Sequence, residues 1–196
     1  QRSWHGPSVP NPNGDGDVDP SAFSPEEHAA AREQAHGVLL SAIRLAPADL
    51  EARYSLGLFL QSERCDISGA EAAFRGVLEA DPLHPLAATS LAYIAHVHRG
   101  DVAEAERLYK TALQGNGTCV PALCSYGALL LDAHNDTETA RSLLTRAYAL
   151  APDHSTTLFN LAAVTEREGG DAEVVENFAA RGVAADPRNA RARCVW

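Results

Sequence analysis

Four registers recur every 35 residues along this chain and stay in phase from copy to copy. Pro82, Pro152 and Pro187 share one register, and Pro47 extends it backward. Asp66, Asp101, Asp136 and Asp171 form a second. Gly57, Ala92, Gly127 and Ala162 form a third, each preceded by a large residue: Leu56, Leu91, Tyr126 and Leu161. Ala70, Ala105 and Ala140 make a fourth, which Val175 closes. A fixed period of roughly 20–50 residues marks a stacked-repeat architecture. Each unit of such an array buries its apolar face only against its neighbours. Function is then expected on a surface made by stacking, not in a pocket inside one domain.

The spacing within each period predicts helices. Ala105, Tyr109 and Ala112 follow at intervals of four and three, which places them on one helical stripe. Ala and Leu carry most of the 45% apolar content, and both are strong helix formers. Predicted helix pairs lie near 49–63 and 68–80, 84–98 and 102–114, 119–133 and 137–149, and 154–168 and 172–184. The small residue of each large-small pair lets the two helices of a hairpin approach closely. Ser24-Pro25-Glu26-Glu27 reads as a helix start with a capping box. Ala35, Leu39 and Ala42 sit one period before Ala70, Phe74 and Val77, so this segment reads as the second helix of a partial leading unit, 24–48. Full units are expected at 49–83, 84–118, 119–153 and 154–187, with a further helix beginning near 188. The recurring aspartates fall in the turns between paired helices, where a carboxylate caps the helix that follows. Residues 1–23, rich in Pro, Gly, Asn and Asp, read as a flexible acidic tail.

The net charge of −10 argues against a nucleic-acid partner, since no Lys/Arg run supplies a basic face. No apolar stretch approaches the ~20 residues that span a bilayer. Cys65, Cys119, Cys124 and Cys194 are scattered without zinc spacing and read as small buried thiols in a reducing compartment. The chain opens at Gln1, not Met, as a fragment or processed form does.

Gly100-Asp101-Val102-Ala103-Glu104-Ala105-Glu106-Arg107-Leu108-Tyr109-Lys110-Thr111-Ala112-Leu113 resembles the second helix of a tetratricopeptide repeat. Leu78-Glu79-Ala80-Asp81-Pro82, Ala149-Leu150-Ala151-Pro152 and Ala184-Ala185-Asp186-Pro187 resemble that family's repeat ending. The resemblance runs over about residues 25–196. The unit departs from the usual ~34 residues. Its extra residue lies between the large-small pair and the small residue of the second helix. The family's aromatic near the start of the first helix is missing in most copies, and Gly117 replaces proline at one ending. A 35-residue period also fits pentatricopeptide repeats, which makes an organellar RNA-binding protein the alternative.

The resemblance implies an all-α fold, a right-handed superhelix (α-solenoid) of stacked antiparallel helix pairs, with no intrinsic catalysis and no cofactor. It implies a scaffold or adaptor whose first helices line a concave groove for a partner peptide or helix, as part of a larger assembly. Its expected setting is intracellular: cytoplasmic, ciliary or cytoskeletal, or organellar. The groove positions by that layout are Tyr54, Ser55, Thr89, Ser90, Tyr93, His96, Cys124, Ser125, Asp132, Phe159, Asn160 and Arg167. The carboxylate clamp of chaperone-binding members is absent, since the one lysine, Lys110, lies in a second helix. An asparagine ladder is absent too, the matching positions being Ser55, Ser90, Ser125 and Asn160.

Two local clusters carry less. His96 and His98, two residues apart, point to different sides of a helix and suit no shared metal. Asn11, Asn13, Asp15, Asp17 and Asp19 resemble an EF-hand loop with Gly16 at its turn. Ala22 stands where the bidentate glutamate belongs, so a flexible linker or a weak, vestigial calcium site is expected. No nucleophile with its base, phosphate loop or catalytic carboxylate pair stands out.

Overall fold

The computed structural model describes residues 24–186. The EF-hand-like residues Asn11 to Asp19 and the helix expected from 188 lie outside them. The described residues contain helices and no strand. In chain order these are α1 (Pro25–Leu45), α2 (Leu50–Ser62), α3 (Ile67–Ala80), α4 (Pro85–Tyr93), α5 (Val102–Gly115), α6 (Val120–Leu129), α7 (Thr137–Leu150), α8 (Ser155–Arg167) and α9 (Ala172–Ala185). Each first helix (α2, α4, α6, α8) packs antiparallel on the second helix that follows it. The whole is the all-α superhelix of stacked pairs that the period predicts. No helix among the described residues is long and apolar enough to cross a membrane.

Short polar side chains start the helices as the sequence requires. Asp66, Asp101, Asp136 and Asp171 each accept a backbone N–H in the first turn of α3, α5, α7 and α9, at 2.9–3.1 Å. Asp49 does the same for α2, and Ser24 with Glu27 closes the capping box of α1. At α4 and α8 the cap is a histidine: His84 Nδ1 accepts from Ala87 and His154 Nδ1 from Thr157.

The extra residue of the period is absorbed where the first helix ends. α4 and α6 each run on into a π-helical turn, Ile94–His98 and Leu130–His134. The backbone N–H groups of Asp66, Asp101 and Asp136 then reach back six residues, to Leu60, Ala95 and Leu130. The residue before each aspartate turns left-handed: Cys65 at φ 52°, Gly100 at 65° and Asn135 at 51°. An ordinary helix ending closes over one residue fewer, and the last pair does this. There Gly170 N–H bonds Thr165 O, five back, and the left-handed residue is Gly169.

The core is one stripe per helix, meeting its neighbours. Ala70, Phe74 and Val77 on α3, Ala105, Tyr109 and Ala112 on α5, and Ala140, Leu144 and Ala147 on α7 are fully buried. The equivalent stripe on α1 is bare by comparison: Ala35 is exposed and Leu39 and Ala42 are half-buried. Inside each pair the small residue admits the large one opposite. A Cβ on Gly57 would lie 2.5 Å from the Phe74 ring, and one on Gly127 would lie 2.9 Å from Leu144. First helices also touch one another, α4 with α6 and α6 with α8, whereas second helices meet at most slightly. The array therefore bends with its first helices on the inside.

Gly57→Leu should lower stability by about 1–3 kcal/mol or more through overpacking, read by thermal or urea melting. Gly37→Ala, where a side chain meets nothing within 4 Å, should be neutral or gain up to ~1 kcal/mol. Equal melting of the two variants would contradict the packing assigned to Gly57. Burial holds the His154 pKa below its ordinary value, so its neutral form caps α8. The stability this lends is fully present above the unfolded pKa of ~6.5 and is lost as pH falls through the folded value. His154→Asn keeps a capping oxygen without a titrating ring. The drop in melting temperature between neutral pH and pH ~5 should be smaller in that variant than in the wild type.

Candidate functional site

The inner wall is the face that the first helices turn away from their second helices. Its positions form rows one period apart: Leu58, Tyr93, Ala128, Ala163, and one turn later Ser62, Val97, Asp132, Arg167. Leu58, Tyr93 and Val97 are 41%, 42% and 53% exposed. Three large apolar side chains thus stand in solvent on two adjacent first helices. Tyr93 packs edge-on against His98, at 6.0 Å between rings.

The residues expected in the groove divide into three groups. Tyr93 and Asp132 are exposed, as is Arg167, and His96 is half-buried. Arg167 donates to Asp132 at 3.1 Å and to the Leu131 carbonyl, joining α8 to the end of the preceding first helix. A second group is half-buried. Tyr54 lies 5.5 Å from the Phe74 ring and 5.8 Å from His84, and burial raises its pKa. Ser55 is half-buried as well. Ser90 stands by the Tyr54 hydroxyl. Ser125 stands by that of Tyr109, which is buried without a well-formed hydrogen bond. Phe159 presses its ring against Gly182, where a Cβ would lie 3.1 Å away.

The third group is inside. Thr89 is buried and donates to the Pro85 carbonyl at 2.7 Å. Cys124 is buried beside it in sequence register, one period on. Asn160 is buried and donates to the Cys124 carbonyl at 3.1 Å, tying α8 to α6. These positions lie one turn before the exposed row and are closed over by the neighbouring first helix. Reading the period along the first helix missed Leu58 and Val97. Both were reachable from Tyr93: Leu58 lies one period back, and Val97 one helical turn on.

Ion pairs lie mainly on the outer side. Glu106 on α5 meets Lys110 at 2.6 Å and accepts from the Tyr126 hydroxyl at 3.1 Å. The Lys110 hydrogen bond first, and then the Tyr126 hydroxyl, hold its carboxyl below the usual range. No group of three metal-ligating side chains occurs among the described residues.

Comparison with known proteins bears on the fold. Residues 62–118 match the family model of the tetratricopeptide repeat. The crystal structure of MamA superposes with a TM-score of 0.60 at 12% identity, covering 85% of this chain and 95% of that one. TTC0263, a thermophilic TPR protein of Thermus thermophilus, superposes with a TM-score of 0.65 at 19% identity, covering 86% of this chain and 91% of that one. No curated protein sequence gives a match. At these identities the structural likeness is one of fold.

Asn160→Ala should cost about 0.5–1.5 kcal/mol of stability by removing the side-chain hydrogen bond that ties α8 to α6, read by chemical denaturation. An unchanged midpoint would return Asn160 to the exposed wall.

Proposed function

We propose that this chain, whose residues 62–118 match the tetratricopeptide repeat model, is a non-catalytic scaffold whose inner wall holds a helix or extended segment of a partner protein. The units run 49–83, 84–118, 119–153 and 154–187 in this reading, behind a partial unit at 24–48. The observation that carries it is the apolar trio Leu58, Tyr93 and Val97. Tyrosine is among the residues that anchor protein interfaces. A cluster of this kind on a repeat array, rimmed by the Asp132–Arg167 pair, is the arrangement an amphipathic segment needs. His96, Tyr54 and the two serines Ser90 and Ser125 lie beside it and offer polar contact. The family is built around such binding, and no set of groups among the described residues assembles a catalytic constellation. The overall charge favours a protein over RNA.

The test is site-specific. Tyr93→Glu and Val97→Glu should each weaken association with a partner at least tenfold while leaving the melting temperature unchanged. Leu150→Glu, an exposed apolar side chain on a second helix, should have no effect. The partner for this assay comes from cross-linking mass spectrometry in native extract. Equal loss in all three variants, or in none, contradicts the assignment. Titration of labelled RNA at low salt should be flat.

A further inference from the structure

The units join at four equivalent repeat-end positions, Pro47, Pro82, Gly117 and Pro152, and at three of them a guanidinium of this chain sits on the backbone carbonyl. Arg146 on α7 donates to Gly117 O at 3.0 Å. Arg181 on α9, one period later, donates to Pro152 O at 3.1 Å and lies over the Tyr148 ring at 5.4 Å. One period before these two positions comes Thr111, and one before that Gly76. At the first joint Arg53 on α2 takes over, donating to Pro47 O at 3.1 Å and Gly76 O at 2.9 Å. Gly76 leaves it room, since a Cβ there would lie 3.2 Å from Arg53 Cδ.

The joint at Pro82 has neither arginine. Thr111 holds the α5 position, and its hydroxyl turns back to Arg107 O at 3.0 Å. Ala88, fully buried, holds the position of Arg53. At this joint a cavity of about 320 Å³ opens on the outer side, between α3 and α5. Leu78, Leu91 and Leu108 are among its apolar lining, and Glu79, Pro82 and Thr111 line it too. At the mouth, Arg75 and Arg99 share Glu71, and Arg107 meets Glu104, so these three guanidiniums pair with two carboxylates. Glu79 is exposed and carries no such ion pair among the described residues.

We propose that this cavity binds the guanidinium of an arginine carried by a partner protein, donating to the Pro82 carbonyl and pairing with Glu79. The aliphatic stem lies along Leu78 and Leu108, as arginine stems do on apolar surface, and the planar fork suits one carbonyl and one carboxylate together. The incoming residue supplies at this joint what Arg53, Arg146 and Arg181 supply at the others. The site is separate from the inner wall and shares with the function above only that the occupant is carried by a protein.

The probe is N-acetylarginine methylamide, titrated into the full chain and followed by amide NMR shifts, with N-acetylnorleucine methylamide as the uncharged control. The arginine probe should perturb amides of α3 and α5 around Glu79 and Thr111, and the norleucine probe should not. Glu79→Gln should weaken the response several-fold. Thr111→Arg should abolish it and raise the melting temperature, because the chain then fills its own slot. Tyr93→Glu should leave it intact, which separates this site from the inner wall. An absent response around Glu79, an equal response to norleucine, or an undiminished response in Glu79→Gln or Thr111→Arg overturns the proposal.

Discussion

One close approach per unit sets everything else: a large side chain of the second helix entering the notch left by a small residue on the first. Phe74 enters at Gly57 and Leu144 enters at Gly127, both at separations no side chain could share. Tyr109 faces Ala92 by register and is fully buried, its ring stacked on Tyr126 at 5.9 Å. The last pair reverses the roles, with Phe159 of the first helix against Gly182 of the second. Burying a ring or a leucine in this way is worth ~1.5–3 kcal/mol. It also fixes the angle at which each hairpin meets the next. Without it the pairs would splay, and no continuous wall would form.

The bend follows from the same packing. First helices carry small residues on the side that meets their neighbours, so they touch, and second helices are left apart on the outside. The inside gains a continuous surface with exposed Leu58, Tyr93 and Val97. The outside gains wedge-shaped gaps that long side chains fill. Tyr126 with Glu106 and Lys110 fills one, and Arg181 with Tyr148 and Phe178 fills another. Leu91 and Thr111, both shorter than their counterparts one period on, leave the gap at Pro82 open.

Nearly all the helix ends were legible in the sequence, because caps and prolines act locally and the period repeats them. The fate of the extra residue was legible only as to place. That α4 and α6 run into π turns, while α8 ends in an ordinary closure at Gly169, depends on how each helix end packs. The inner wall was half legible. Tyr93, Asp132 and Arg167, expected to face the groove, are exposed, whereas Thr89 and Asn160 are buried, Asn160 against α6. Periodicity gives the face of a helix but not the width that a neighbour covers. The arginine contacts at the joints were not legible, since Arg53 reaches Pro47 from a different helix than Arg146 and Arg181 use.

The central claim is that each unit is held only by its neighbours, so that stability runs along the array and not through one globular core. Residue-resolved hydrogen exchange under native conditions tests it most directly. Protection should be greatest in α4 to α7, whose stripes are covered on both sides, and should fall stepwise toward α1 and α9, which open first. Uniform protection from α1 to α9, lost in a single cooperative step, would contradict the account.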